Sequence, residues 1–133
     1  MILLDTHIWL DWIIRGPDAL PRTICDAMQE DASLGVSAIS CFEVAMLSKR
    51  GIVDLELPVD EWLRHALAPS GVRCLPIRCE IATLSVSLPP IHKDPADRLI
   101  IATAICEDVR LASKDRMFTR YPELGNRLIF ATV

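Results

Sequence analysis

The sequence predicts an α/β fold, an α/β/α sandwich around a mostly parallel central sheet of four to five strands. Short apolar runs alternate along the chain with longer segments whose apolar residues recur at helical spacing. The short runs are apolar throughout, which is typical of strands buried on both faces of a parallel sheet. At 133 residues the chain has the length of one ordinary domain, so we expect a single domain over residues 1–133.

The elements follow one another in a regular order, and Gly and Pro mark most of their ends. We predict strands over residues 1–4, 34–38, 72–75, 110–113 and 128–131. We predict helices over residues 6–15, 21–31, 40–50, 59–67, 80–88 and 95–106. Two helix starts carry capping signals. Ser40 to Glu43 matches the capping-box pattern, and we expect Asp94 to cap a helix with Pro95 at its first position.

Four acidic residues fall at strand ends or helix starts. Asp5 ends the first apolar run, and Asp115 follows the fourth strand. Glu43 and Asp97 lie in the first turns of two predicted helices. Because open parallel sheets bind ligands outside the carboxyl ends of their strands, we expect these acids to gather at one edge of the sheet.

Each of these acids also has a purely structural interpretation. Glu43 could close the capping box, and Asp97 could favour the positive end of its helix dipole. Asp115 could cap a turn, and we assign Asp94 to helix capping rather than to the site. Asp5 is the hardest to explain structurally, because a charge at the end of a buried strand is unfavourable unless it is paired or metal-bound.

A cluster of carboxylates requires a cation. Two carboxylates about 4 Å apart repel by roughly 4 kcal/mol at an effective dielectric constant of about 20. Hard oxygen ligands without a His or Cys cluster indicate Mg²⁺ or Mn²⁺ rather than zinc. Such an ion, with positions left for water and phosphate, suits the hydrolysis of phosphodiester bonds. The predicted metal-binding and catalytic residues are therefore Asp5, Glu43, Asp97 and Asp115.

At these residues the sequence resembles the PIN-domain nucleases, and specifically the VapC-type toxins of bacterial toxin–antitoxin pairs. The motifs that carry the resemblance run over nearly the whole chain: LLDTHIW (3–9), VSAISCFEVA (36–45), HKDPADRLIIATA (92–104) and LASKD (111–115). Each motif alone is weakly specific, but all four in this order form a strong signal. The resemblance implies a PIN-like fold in which acids at the positions of Asp5, Glu43, Asp97 and Asp115 hold one or two Mg²⁺ or Mn²⁺ ions.

The same resemblance implies an activity and partners. The implied activity is that of an endoribonuclease that cleaves tRNA, rRNA or mRNA by metal-activated water, with Thr6 and Ser113 orienting a carboxylate or a metal-bound water. The implied partners are the RNA substrate, a second copy of the chain in a homodimer, and a VapB-type antitoxin whose C-terminal segment occupies the active-site groove. Lys114 departs from the family pattern because it places a cation directly before Asp115. Lys114 could contact RNA phosphate or pair with Asp115.

The net charge of −4 and the isoelectric point near 5.3 argue against a protein that binds nucleic acid by bulk charge. They are compatible with an enzyme that reaches phosphate through metal ions, because the carboxylates that hold those ions count as negative. Arg98, Lys114 and Arg116 lie beside the predicted site acids and are candidate phosphate contacts. His92 and Lys93, just before the helix that carries Asp97, are further candidates. Solvated surface charge is the alternative for all of them.

The five cysteines are scattered and odd in number, which is typical of buried free thiols in a reducing compartment rather than of a disulfide framework. No stretch reaches the roughly 18 uninterrupted apolar residues of a membrane-spanning helix. We therefore expect a cytoplasmic protein without a membrane partner.

Two other functions fit part of the pattern. A haloacid-dehalogenase-like phosphatase would use Asp5 as its nucleophile, but it needs a second acid two residues further on, where this chain has His7. A catalytically silent PIN-like module would bind RNA or protein without cleaving it. The presence of all four candidate acids favours the nuclease.

Overall fold

Five parallel strands form one sheet in the computed structural model, which describes residues 1–132. The strands are β1 (Ile2–Leu4), β2 (Leu34–Ser37), β3 (Val72–Leu75), β4 (Arg110–Ser113) and β5 (Leu128–Phe130). Their order across the sheet is β3-β2-β1-β4-β5, and every neighbouring pair is parallel. The predicted α/β/α fold is confirmed, with a sheet that is parallel throughout. Val133, the last residue of the predicted domain, lies outside the described residues.

Helices flank the sheet in the order that the sequence predicts. They are α1 (Thr6–Arg15), α2 (Arg22–Glu30), α3 (Ala38–Lys49), α4 (Val59–Ala66), α5 (Cys79–Ser87) and α6 (Pro95–Glu107). Two short 3₁₀ segments, Arg116–Arg120 and Pro122–Arg127, connect β4 to β5. Within residues 1–132, no helix combines the length and the apolar character that crossing a lipid bilayer would need.

Helix α3 begins earlier than the sequence predicts. Its cap is Ser37, the last residue of β2, whose Oγ accepts a hydrogen bond from the Ile39 amide at 3.2 Å. Ser40 instead lies buried within the first turn of the helix. The predicted capping box from Ser40 to Glu43 is therefore wrong, because the helix is already capped before Ser40 is reached. The capping interpretation of Glu43 falls away with it.

Two apolar cores cover the two faces of the sheet. Along β1, Ile2 and Leu4 pack into the core on the side of α1 and α2, while Leu3 packs into the core on the side of α5 and α6. All three side chains are fully buried, as the continuous apolar run predicts. Strand β1 is thus held from both faces, which fixes the position of the residue that follows it, Asp5.

The strand order changes direction between β1 and β4. From β1 the chain continues to β2 and β3 on one side of the sheet, whereas β4 and β5 lie on the other. Strands β1 and β4 remain hydrogen-bonded to each other as far as their carboxyl ends, because the Asp5 amide donates to the Ala112 carbonyl at 3.0 Å. A crevice forms at such a reversal, outside the carboxyl ends of the strands, and this is where open α/β sheets bind ligands.

The five cysteines are free thiols, but they are less buried than the sequence predicts. Cys74 and Cys79 are exposed, and the other three are partly buried. Cys74 lies on β3, which is an edge strand, and Cys79 opens helix α5. Solvent reaches one side of both elements, which explains the exposure of these two thiols.

Candidate functional site

A cleft with a volume of about 380 Å³ opens at the carboxyl ends of β1 and β4. Its lining is polar and consists of Asp5, His7, Asp11, Asp97, Lys114 and Asp115. Glu43 lies next to this cleft and lines a neighbouring depression together with Phe42 and Asp94. The structure therefore brings all four predicted site acids to the edge of the sheet where its strand order reverses.

Asp5 is the most deeply placed of these acids, with 5% of its surface exposed. Its Oδ1 accepts a hydrogen bond from the Thr6 amide at 2.8 Å, and its Oδ2 accepts one from the Ser113 hydroxyl at 2.8 Å. Burial raises the pKa of Asp5 above its usual range, and the Ser113 hydrogen bond opposes that rise. Asp5 is thereby fixed in orientation between the end of β1 and the end of β4.

Glu43 is attached to the same group of residues through Thr6. The Thr6 hydroxyl donates to Oε1 of Glu43 at 2.5 Å and lies 2.8 Å from the Ser40 hydroxyl. Because Thr6 has a single hydroxyl hydrogen, the Ser40 hydroxyl is the donor in the second contact. Burial raises the pKa of Glu43, and the nearby carboxylates of Asp94 and Asp5 raise it further.

Asp97 and Asp115 meet across the cleft at one imidazole. Nε2 of His92 lies 2.9 Å from Oδ2 of Asp97 and 2.8 Å from Oδ2 of Asp115. Asp97 is in the first turn of α6, and Asp115 caps the 3₁₀ segment after β4 by accepting from the Met117 amide at 2.9 Å. Asp115 therefore performs the capping role that the sequence offers as an alternative. Its other carboxylate oxygen, Oδ2, is the one that contacts His92.

The four acids act on one another electrostatically. The pKa of Asp97 is raised to about 8, first by burial and then by the carboxylates of Asp5, Asp94, Glu43 and Asp115. A group in this position binds a proton readily because deprotonation adds a further negative charge to an already negative cluster. A cation at the same position would relieve the same repulsion.

The donor set fits a divalent cation with a preference for oxygen ligands. Carboxylates from several elements converge, and the ligand atoms of His92, Asp97 and Asp115 lie within 4.8 Å of one another. Carboxylate oxygens are the ligands that Mg²⁺ and Mn²⁺ prefer. The sequence predicts a site of oxygen ligands alone, and the structure adds one ring nitrogen to the cluster.

The structure places His92 in the carboxylate cluster, whereas the sequence analysis expects it only as a candidate phosphate contact. It stands five positions before Asp97 within the HKDPADR motif. The motif shows that a histidine is present, but it does not show where the imidazole ring points. Its ring points into the cluster because the chain between α5 and α6 is held against the 3₁₀ segment, where Phe118 meets the imidazole edge-on at 5.7 Å between ring centroids. That contact joins residues distant in sequence.

Three of the candidate phosphate contacts, Arg98, Lys114 and Arg116, differ in their surroundings. Arg98 donates hydrogen bonds to the backbone carbonyls of Val86, Leu88, Pro89 and His92. These four acceptors favour a structural role for Arg98, namely holding the connection between α5 and α6, over the predicted phosphate contact. Lys114 pairs with Asp11 at 2.6 Å rather than with Asp115, and it lines the cleft. Arg116 is exposed beside the cleft residue Asp115.

Asp94 acts as the sequence predicts. Its Oδ1 accepts from the Ala96 amide at 3.0 Å and caps α6. The side chain is exposed rather than part of the cleft lining, although its charge contributes to the raised pKa values of Glu43 and Asp97. Asp94 thus stabilises the helix that carries Asp97 and adds to the negative potential around it.

Comparison with known proteins relates residues 2–124 to the family model described as PIN domain. The chain is 39% identical over 116 residues to Ribonuclease VapC22 of Mycobacterium tuberculosis, covering 86% of this chain and 87% of that protein. Among solved structures, it resembles a chain of VapBC2 from Rickettsia felis bound to a promoter DNA fragment, with a TM-score of 0.71, 20% identity and 98% of each chain covered. It also resembles a chain of a toxin–antitoxin complex from Klebsiella pneumoniae, with a TM-score of 0.66, 21% identity and complete coverage of both chains.

Proposed function

The chain belongs to the PIN-domain family, and from this premise we propose that it is a Mg²⁺- or Mn²⁺-dependent endoribonuclease, the toxin of a VapBC-type toxin–antitoxin pair. Its substrate is RNA (tRNA, rRNA or mRNA), and the bond that it hydrolyses is a phosphodiester. The observation that carries the proposal is the cluster in which Asp97, with a pKa raised to about 8, lies among three further site carboxylates. The ribonuclease relative at 39% identity supports the same substrate class.

The residues that would hold one or two ions are Asp5, Glu43, Asp97 and Asp115. When bound, a divalent ion supplies Lewis-acid chemistry by lowering the pKa of a water molecule and neutralising charge on the phosphodiester. The protein's own contribution is to fix the carboxylates. Ser113 and Thr6 hold Asp5, and Thr6 also holds Glu43, so these acids keep their orientation before an ion arrives. These hydrogen bonds support the orienting roles that we propose for Thr6 and Ser113.

Substrate binding uses the cations at the rim of the cleft. Lys114 lines the cleft, and Arg116 is exposed next to it, so both can reach a phosphate of the RNA backbone. The cleft itself is acidic, which disfavours RNA until the carboxylates are neutralised. RNA binding at the cleft therefore depends on the ion as well as on Lys114 and Arg116.

Cleavage of total RNA by the purified protein tests the proposal. With Mg²⁺ or Mn²⁺ we expect cleavage by the wild type, and a loss of about 100-fold or more in Asp5→Asn, Glu43→Gln and Asp97→Asn. Matched controls are Asp18→Asn and Glu61→Gln, which alter exposed acids outside the cleft and should cleave like the wild type. Undiminished cleavage by the site variants, or none by the wild type at high concentration, would contradict the nuclease. The second result would leave a silent binding module.

The antitoxin partner fits a groove beside the proposed active site. The groove has a volume of about 220 Å³ and is lined by Phe42, Glu43, Met46, Leu47, Arg50, Asp94 and Ala96. Phe42 is 60% exposed although it is aromatic, and it immediately precedes Glu43. An apolar peptide side chain that covers Phe42 would bring its segment directly to the carboxylates, which suits an inhibitor that occupies the site. The toxin–antitoxin complexes among the structural relatives support this partner.

Co-purification with the product of the neighbouring reading frame tests the partner. Phe42→Ser should weaken the complex with the antitoxin and relieve the inhibition of RNA cleavage by the antitoxin. The free variant should still cleave RNA. Ile14→Ser is the matched control, because Ile14 is 45% exposed in the last turn of α1, at the opposite end of that helix from Asp5. Equal inhibition of Phe42→Ser and the wild type would contradict docking on this groove.

We further propose a homodimer that works in the cytoplasm. A depression on the α5 and α6 side is lined by three apolar residues (Val86, Pro95 and Leu99) and three polar ones (Ser85, Lys93 and Arg98), and Val86 is 80% exposed. The free cysteines suit a reducing compartment. Light scattering should give twice the 14.8 kDa mass of the chain, and Val86→Arg should shift the mass toward that of one chain. A monomer in the wild type would contradict the dimer.

A further inference from the structure

His92 lies within the carboxylate cluster, where the sequence analysis does not expect it. Its side chain is 14% exposed, and its Nε2 contacts Oδ2 of Asp97 and Oδ2 of Asp115 at 2.9 and 2.8 Å. These two acids come from separate parts of the chain, the start of α6 and the segment after β4. His92 is thus the direct link between them.

The other side of the ring determines what Nε2 can do. Nδ1 accepts a long hydrogen bond of 3.4 Å from the Asp94 amide. Since Nδ1 is an acceptor, the ring hydrogen is on Nε2, which then donates toward both carboxylates. A metal-ligating histidine usually shows the opposite arrangement, with its second nitrogen donating to a carbonyl or carboxylate. His92 is therefore built as a hydrogen-bond donor to the acids.

The position of the imidazole is fixed from several directions. The His92 amide donates to the Tyr121 hydroxyl at 2.8 Å, and that hydroxyl donates to the Pro89 carbonyl at 2.9 Å. The ring packs edge-on against Phe118. The His92 carbonyl accepts from Arg98 at 3.3 Å. Because these contacts fix the imidazole of His92, the ring can hold the carboxylates of Asp97 and Asp115 in place.

We propose that His92 is a positioning residue whose Nε2–H holds the carboxylates of Asp97 and Asp115 side by side as a preformed pair of ligands for the divalent ion. A carboxylate oxygen that accepts one hydrogen bond keeps a second lone pair for an ion, so the donor and the ion are compatible. The inference rests on the proposed function, because it deepens the role of the same metal site. Loss of such a supporting hydrogen bond typically weakens metal binding by about 10–100-fold.

Calorimetric titration with Mn²⁺ tests the proposal without RNA. We expect His92→Ala to bind Mn²⁺ about 10–100-fold more weakly than the wild type. His92→Gln, whose amide retains a donor at the position of Nε2, should recover part of the affinity. His65→Ala is the matched control, because His65 is exposed on α4, and it should bind like the wild type. Equal Mn²⁺ affinity in all four proteins would overturn the role of His92.

A spectroscopic measurement separates a positioning residue from a ligand. Electron spin-echo spectra of Mn²⁺ bound to the wild type should show no directly coordinated imidazole nitrogen. A nitrogen signal that persists in His7→Gln and disappears in His92→Gln would overturn the proposal, because it would make His92 a ligand. This measurement uses the wild type and the donor-retaining variant, so it does not depend on the folding of His92→Ala.

The two proposals fail in different ways. A wild type that binds Mn²⁺ and cleaves RNA, together with a His92→Ala variant of unchanged Mn²⁺ affinity, overturns the positioning role alone. A wild type that binds no Mn²⁺ overturns the metal site of the proposed function and the role of His92 together.

Discussion

Ser113 donates its hydroxyl hydrogen to Oδ2 of Asp5 at 2.8 Å and so joins the end of β4 to the end of β1. Oγ of Ser113 in turn accepts a hydrogen bond from the Asp115 amide at 3.0 Å. One fully buried hydroxyl therefore orients one site acid through its side chain and a second through its backbone. This link crosses the point where the strand order reverses, which makes it the centre of the site's geometry.

Ser113→Ala should destabilise the metal-free protein by about 1–3 kcal/mol, because the buried carboxylate of Asp5 and the Asp115 amide each lose a partner. The change should also raise the pKa of Asp5 further, since the Ser113 hydrogen bond lowers it. Urea denaturation measures the effect. Ser87→Ala removes an exposed hydroxyl from α5 and serves as the control. Equal effects of the two substitutions would contradict the importance of the link.

The stability of the metal-free protein should fall as the pH rises from about 5 to about 8. The pKa of Asp97 is raised to about 8 from an ordinary value of 3.8, so in this range the folded protein retains a proton that the unfolded chain has lost. The contribution of Asp97 to the free energy of unfolding is therefore most favourable below pH 3.8, and it is lost progressively as the pH rises to about 8. The raised pKa values of Asp5 and Glu43 act in the same direction.

Denaturation in EDTA at several pH values measures this dependence, and we expect a loss on the order of a few kcal/mol. Asp97→Asn carries no titratable carboxyl group at this position, so its stability should depend less on pH. Mn²⁺ added at the high end of the range should restore stability to the wild type, because an ion that binds only the folded state stabilises that state. Stability that is constant or rises toward pH 8 in EDTA would contradict the prediction.

Arg98 and Arg116 should respond differently to substitution. Arg98→Lys keeps the charge but cannot reach four carbonyl acceptors, so it should destabilise the protein by about 1–3 kcal/mol. Arg116→Ala should leave stability within about 0.5 kcal/mol of the wild type and raise the KM for RNA. Thermal denaturation and cleavage kinetics measure the two effects. A raised KM with full stability in Arg98→Lys would instead support a phosphate contact at Arg98.

Cys41 should react slowly with thiol reagents. Burial and the neighbouring Cys74 thiol raise the pKa of Cys41 to about 12, so almost none of it is thiolate near neutral pH. Iodoacetamide should therefore modify the exposed Cys74 and Cys79 well before Cys41. Peptide mapping by mass spectrometry over time checks the order. In urea all cysteines should react at similar rates, and equally fast labelling of Cys41 in the folded protein would contradict the prediction.

The sequence predicted those features that depend on local pattern. The apolar run before Asp5 indicates a strand buried on both faces, and a strand of that kind places its next residue at the sheet edge. The Asp94-Pro95 pair marks the start of α6 within one residue and thereby places Asp97 in the first turn. Both inferences needed only neighbouring residues.

Other features were beyond such reasoning because they depend on contacts between distant residues. The sequence analysis places the cap of α3 at Ser40, whereas the structure places it at Ser37, because the cap follows from where β2 ends. The direction of His92 follows from packing against Phe118, which lies 26 positions later. The position of Lys114 at the rim of the cleft likewise depends on its ion pair with Asp11, which lies far from it in the sequence.

The position of β4 next to β1 also bears on when activity can arise during synthesis. Strand β4 begins at Arg110, so a nascent chain still short of it already contains Asp5, Glu43 and Asp97 but has neither Ser113 to orient Asp5 nor Asp115. The last of the four proposed metal-binding acids and the hydroxyl that orients the first one are thus translated after the other site residues. Under the proposed function, a nascent chain that has not yet reached β4 would hold an incomplete centre, and cleavage would begin only after β4 and Asp115 have been made.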